Sequence, residues 1–136
     1  MRRCVDEVMW RLDNEDIDFV VLKRNEILEL SFEFALQVIE YCEKLEKSHK
    51  HVIAHQLLKS GTSIGANVRE AQNSESNADF VHKLKIAAKE AEETEYWLLL
   101  CDKSLNYPST EGLLSTLISI KKLLNSIIST IKNRKK

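Results

Sequence analysis

Gln56, Ser60, Ser63, Asn67, Glu70 and Ser74 recur in alternating steps of four and three, the spacing that lines polar groups along one stripe of a helix. A second stripe, Asp79, Lys83, Ile86, Glu90, Glu93 and Trp97, follows a short polar break. In a hairpin turning near Glu75, Glu70 comes level with Lys83, and Ser63 and Asn67 with Ile86 to Glu90. Hydroxyls, an amide, carboxylates and an ammonium in a half-buried groove could bind a small molecule or perform hydrolysis. The same groups could instead be an inter-helix network of Ser63, Asn67, Glu70, Lys83, Glu90 and Glu93 that fixes register, because half-buried polar groups ordinarily pair with one another.

Other constellations stop short of chemistry. Glu90 and Glu93 suggest paired carboxylates, but the Glu-x-x-His motifs on two helices of a di-iron bundle are absent. His51 and His55 share a helix face at i,i+4, with His49 nearby, yet zinc needs third and fourth ligands. Cys4, Cys42 and Cys101 contain no CxxC, and the last two fall on apolar stripes, where a thiol packs as a small hydrophobe. No catalytic, cofactor-binding or metal-binding residue is assigned, and the chain is read as non-enzymatic.

Charge points to partners more than to reactions. The net charge is −1, too low for a dominant nucleic-acid field, but it is unevenly spread. Residues 25–47 and 75–107 are acidic, whereas 48–74 and 108–136 are basic. Lys121, Lys122, Lys132, Arg134, Lys135 and Lys136 make the one credible footprint for RNA or single-stranded DNA; the plainer account is a solvated tail matched to a helix dipole. A protein partner is the other expectation. No run of about 20 apolar residues is evident and the N-terminus lacks a signal-peptide core, so the reading is cytoplasmic, with no membrane partner.

These residues must be positioned by helices. The chain is 43% hydrophobic and 30% charged, with only three Gly and one Pro among 136 residues, which fits one all-α domain. Helix one is expected over about 25–47, with Ile27, Leu30, Phe34, Val38, Tyr41 and Leu45 as its stripe. Helix two, about 50–73, carries Leu57, Gly61, Ile64, Val68 and Ala71. Gly61 and Gly65 imply a close backbone approach, for which Ala87, Ala88 and Ala91 of helix three would supply the flat surface. Helix three, about 76–105, starts at a Ser76 N-cap with Asp79 three residues on, and keeps Phe80, Leu84, Ala87, Ala91, Thr94, Leu98, Cys101 and Leu105 on one seam. Helix four, about 109–133, repeats Leu113, Leu117, Ile120, Leu124, Ile127 and Ile131. Alternating acidic and basic helices favour an up-down four-helix bundle. Residues 1–24 are expected as a loosely docked appendage, with Val5, Val8, Met9 and Leu12 on a short helix and Phe19 to Leu22 extended. Trp97, with Tyr96 and Leu100, makes helix three apolar nearly all round, which points to a subunit interface.

SFEFALQVIEYCEKLEK (31–47), SGTSIGANVREA (60–71) and ADFVHKLKIAAKEAEETEYWL (78–98) resemble the four-helix-bundle proteins encoded by intervening sequences of bacterial large ribosomal RNA genes, over about residues 25–131. The resemblance implies a left-handed up-down bundle that assembles as a homopentamer. The ribosomal label such proteins carry reflects gene location. The family is also similar to the accessory variability determinant of diversity-generating retroelements, a strongly basic pentamer that binds nucleic acid and reverse transcriptase. This chain departs from it in charge.

Overall fold

The computed structural model describes residues 14–134 as four helices, with no strand among the described residues. They are α1 (Asn14–Lys47), α2 (His51–Ala71), α3 (Asn77–Lys103) and α4 (Leu113–Arg134). Each helix packs on its neighbour in the chain, and α1 closes the circle against α4. Short connections between successive helices make this the expected up-down four-helix bundle.

The stripes read from the sequence fill the core. Phe34, Val38, Leu57, Ile64, Phe80, Leu84, Leu98, Leu117, Ile120, Leu124 and Ile127 are buried almost completely. Two positions depart from expectation. Leu30 is only half-buried, and Ser31 occupies the core line instead, its hydroxyl lying 3.4 Å from the carbonyl of Leu28. Leu105 is exposed because α3 stops earlier. Ser104 is extended and Asn106 takes a left-handed φ of 66°, a conformation Asn tolerates better than most residues.

The largest difference lies at the N-terminus. Phe19 to Leu22, expected to be extended, are helical, and α1 starts at Asn14 instead of near residue 25. The apolar stripe does not end at Ile27. It reaches back seven residues to fully buried Val20, and the intervening position is Arg24, whose guanidinium Nη1 donates to Gln72 Oε1 at 3.2 Å. A charged residue on a core line hid the continuation. Glu15 and Asp16 sit in the first turn, where carboxylates favour the helix dipole. The predicted short helix of Val5, Val8, Met9 and Leu12 lies outside the described residues.

At the other boundaries local chemistry trims the expected lengths. The Ser76 hydroxyl accepts from the amide of Asp79 at 3.0 Å, so the predicted cap forms. α4 begins at Leu113, not Ser109. Gly112, at φ +88°, leaves the helical region, and buried Thr110 donates to Asp102 of α3 at 3.1 Å. By length and hydropathy Leu113–Asn133 would qualify as a membrane span, contrary to the reading from sequence. Its apolar stripe nonetheless faces the bundle core, and Lys121 and Lys122 interrupt its middle.

Gly61 and Gly65 do mark a close approach, but to α1 and not α3. A Cβ on Gly61 would lie 2.8 Å from Val38 Cγ1, and one on Gly65 would lie 3.3 Å from the carbonyl oxygen of Ser31. The alanines of α3 were the wrong counterpart because small residues need not oppose small residues. Val38 itself fills the notch that Gly61 leaves. Gly61→Ala gains about 1 kcal/mol of helix propensity but overpacks by about 1–3 kcal/mol, so it should lower stability in urea unfolding. In a Val38→Ala background the same substitution should turn neutral or stabilising, and an unchanged cost would disprove the notch.

Candidate functional site

The α2–α3 stripes are brought together, but mostly as structure. Thr94 and Ser60 are both fully buried, with their hydroxyl oxygens 3.0 Å apart and Thr94 also 2.7 Å from the carbonyl oxygen of Glu90. Ser63 donates to the Lys59 carbonyl at 2.7 Å, and the Asn67 amide donates to the Ser63 carbonyl at 2.9 Å. Both therefore satisfy themselves on their own helix, as Ser and Asn in helices often do. Lys83 reaches Glu70 across the interface at 3.5 Å, an exposed pair of little energetic weight. Glu93 Oε2 accepts from the Trp97 indole at 3.2 Å. Burial pushes the Glu90 carboxyl above the usual carboxylate range; neighbouring Glu93 adds to this and Lys59 opposes it.

Within the expected nucleic-acid footprint, Lys121 is paired inside the subunit. Its ammonium lies 2.7 Å from Glu92 and 3.0 Å from Glu95 on α3, so its charge is answered within the subunit. The sequence reading treated α4 in isolation and missed that these glutamates face it. Lys122 and Lys132 are exposed. Lys132 has Lys85 of α3 for a neighbour, and the two like charges hold its pKa below the ordinary lysine value. Lys85 thus joins the basic surface, a member that only the packing of α3 against α4 reveals. Arg134 closes α4; its side chain, and all of Lys135 and Lys136, lie outside the described residues.

The interface candidates separate. Tyr96 and Leu100 are exposed, whereas Trp97 is half-buried and packs against the core. Exposed apolar side chains missed as a group lie on α1 and α2. Phe32, Leu36 and Ile39 follow at steps of four and three, and Leu58 belongs to the same side. Ile39 and Leu58 join Cys42 and Ala54 in an open apolar hollow of about 660 Å³, rimmed by Glu43, Glu46, Lys47 and His55. The helix-one stripe read from the sequence is the core half, Ile27, Phe34, Val38, Tyr41 and Leu45, and Phe32, Leu36 and Ile39 flank it on the exposed side.

His51 and Cys42 are tied locally, Cys42 to the Ala54 carbonyl at 3.4 Å. His51 Nδ1 is 2.7 Å from Glu46. Among the described residues no group of three or more His, Cys, Asp or Glu comes together that could hold a metal ion. Burial pushes the Cys42 thiol up to about 12 and also raises Cys101. The Tyr41 hydroxyl, raised chiefly by burial, donates to the Pro108 carbonyl at 2.8 Å and pins the α3–α4 connection to α1.

The family model described as 23S rRNA-intervening sequence protein matches residues 23–129. A crystal structure of a protein of unknown function from the S23 ribosomal protein family of Bacteroides thetaiotaomicron VPI-5482 is 44% identical, with a TM-score of 0.75. The match covers 79% of this chain and 98% of that one. No curated protein matches.

Two measurements check these assignments. Because Glu90 carries a raised pKa, ionising it opposes folding above that pKa, and the penalty fades as pH falls through it. Glu90→Gln should therefore raise Tm at pH 7, with the gain shrinking toward pH 4; a gain that grows in acid would refute the shift. Cys42 and Cys101 should resist iodoacetamide in the folded protein at pH 8 and react once it is unfolded.

Proposed function

The chain belongs to the 23S rRNA-intervening sequence protein family, and from that premise we propose that it is a non-enzymatic binding module that works as a ring of identical subunits. The observation that carries this reading is the placement of its exposed apolar side chains. Phe32, Leu36, Ile39 and Leu58 are exposed on α1 and α2, and Tyr96, Leu99, Leu100 and Ile118 on α3 and α4. In a bundle whose helices follow one another round a circle, these two helix pairs are opposite. Two unlike patches on opposite sides join head to tail, and such contacts close into rings when the rotation permits. The hollow beside Ile39 and Leu58 would receive a side chain of the α3–α4 patch from the next subunit. The family resemblance supports a pentamer.

Within that ring the partner we favour is RNA or single-stranded DNA, held by Lys85, Lys122, Lys132 and the Arg134 to Lys136 tail. A few cations per subunit bind phosphates weakly, and repetition round a ring multiplies them. The polar α2–α3 stripe supports a small-molecule or hydrolytic role less well, because Ser63 and Asn67 already donate within α2.

Light scattering should give a particle several times the 15.7 kDa subunit, five times on the pentamer reading, and a concentration-independent monomer would end the proposal. Leu58→Asp and Tyr96→Asp should each break the ring. Mixed together, the two variants should form a heterodimer, since each retains one intact patch, whereas a two-fold symmetric interface would give no such pairing. RNA binding should weaken steeply with salt, with a shallower slope in Lys122→Gln/Lys132→Gln. Lys121→Gln should hardly alter it. No binding at micromolar protein in about 50 mM salt would leave a protein partner instead.

A further inference from the structure

The far end of the bundle from Asn14 carries a second open groove, of about 530 Å³, where the α1–α2 turn and the start of α2 meet α3 and the α3–α4 connection. Two aromatic rings, Trp97 and Tyr107, line it, with Lys50, His51, Val52 and Gln56. The rings are held in place. The Trp97 indole donates to Glu93 at 3.2 Å and meets Tyr96 edge-on with centroids 5.2 Å apart. Tyr107 follows left-handed Asn106 and precedes Pro108, whose carbonyl accepts from Tyr41. The Lys50 ammonium sits 5.0 Å from the centre of the Tyr107 ring, and no carboxylate among the described residues pairs with it. The first turn of α2 beside it carries neither a side-chain cap nor an acidic residue.

An oriented indole ring beside a cation that lacks a carboxylate partner matches one ligand chemistry, a flat ring system joined to an anion. Bases stack on such rings with little regard to sequence, and ammonium groups take the phosphate. We infer that this groove binds a nucleotide unit, its base against Trp97 and its phosphate at Lys50, whose ammonium lies over the Tyr107 ring. The site lies at the opposite end of the bundle from Lys85 and Lys132, so it stands or falls separately from the α4 surface. The unit could be a free nucleotide or one residue of a single strand, and the two sources are separable.

The test uses full-length Trp10→Phe protein, in which Trp97 is the sole tryptophan. Titrating 5′-AMP should quench Trp97 fluorescence saturably, with adenosine and inorganic phosphate each much weaker. Lys50→Gln should weaken 5′-AMP about tenfold, the loss of one charged contact, and leave adenosine unchanged. Gln56→Glu, which sets a negative charge in the groove, should do the same. Neither variant alters a fully buried side chain, and circular dichroism would verify that both fold. A single-stranded pentanucleotide of adenylate that binds more than tenfold tighter than 5′-AMP identifies a strand as the natural source; equal affinity identifies the free nucleotide. Lys122→Gln/Lys132→Gln should leave 5′-AMP binding intact. No saturable quenching by millimolar 5′-AMP or the pentanucleotide, or binding indifferent to both Lys50→Gln and Gln56→Glu, overturns the inference.

Discussion

Everything in this bundle is arranged around the close approach of α1 and α2 at Gly61 and Gly65. A Cβ at Gly61 would collide with the Val38 side chain, and one at Gly65 would crowd the Ser31 carbonyl, so something along this seam would have to shift. The approach explains why a small, polar Ser31 can lie on a core line. It also brings Cys42 within 3.4 Å of the Ala54 carbonyl. Beyond the contact zone the same two helices leave open ground, and the apolar hollow around Ile39 and Leu58 lies there. Tight packing along one seam and an unfilled surface beside it are thus parts of a single geometry.

Charge is managed differently on the two sides. On the α3–α4 side, Glu92 and Glu95 neutralise Lys121 and join the helices across a partly exposed surface, a contribution expected to be modest. Further along, Lys85 and Lys132 are left as like neighbours. Such crowding opposes folding slightly and favours any anion that binds there. The near-zero net charge of the whole chain conceals this local imbalance.

The fold was legible because helical periodicity survives almost intact. The stripes of α2, α3 and α4 gave nearly every buried residue, and Ser76 with Asp79 gave a boundary to within a residue. What escaped was whatever depends on the identity of a facing helix. Gly61 announces a close contact but not its partner, and Lys121 is a cation whose neighbours are set by packing. Arg24 interrupted the α1 pattern because its pairing with Gln72 spans 48 positions of sequence. Trp97 read as an interface anchor because its neighbours are apolar, while its indole hydrogen bond to Glu93 is invisible until the helix turn is built. The groove at Tyr107 needed two connections to converge, and no single segment encodes that.

The unequal lengths of α1 and α2 would have a consequence for the proposed ring. At 1.5 Å per residue α1 is about 51 Å long and α2 about 32 Å. Because Arg24 meets Gln72 just past the end of α2, about ten residues of α1 extend beyond that end. In the proposed ring, with the bundle axes set along the ring axis, no symmetry element would exchange the two rims. All such extensions would then leave on one side, and all the aromatic grooves would open on the other. The particle would have a front and a back, and whatever threads or docks on it would meet them in a fixed order.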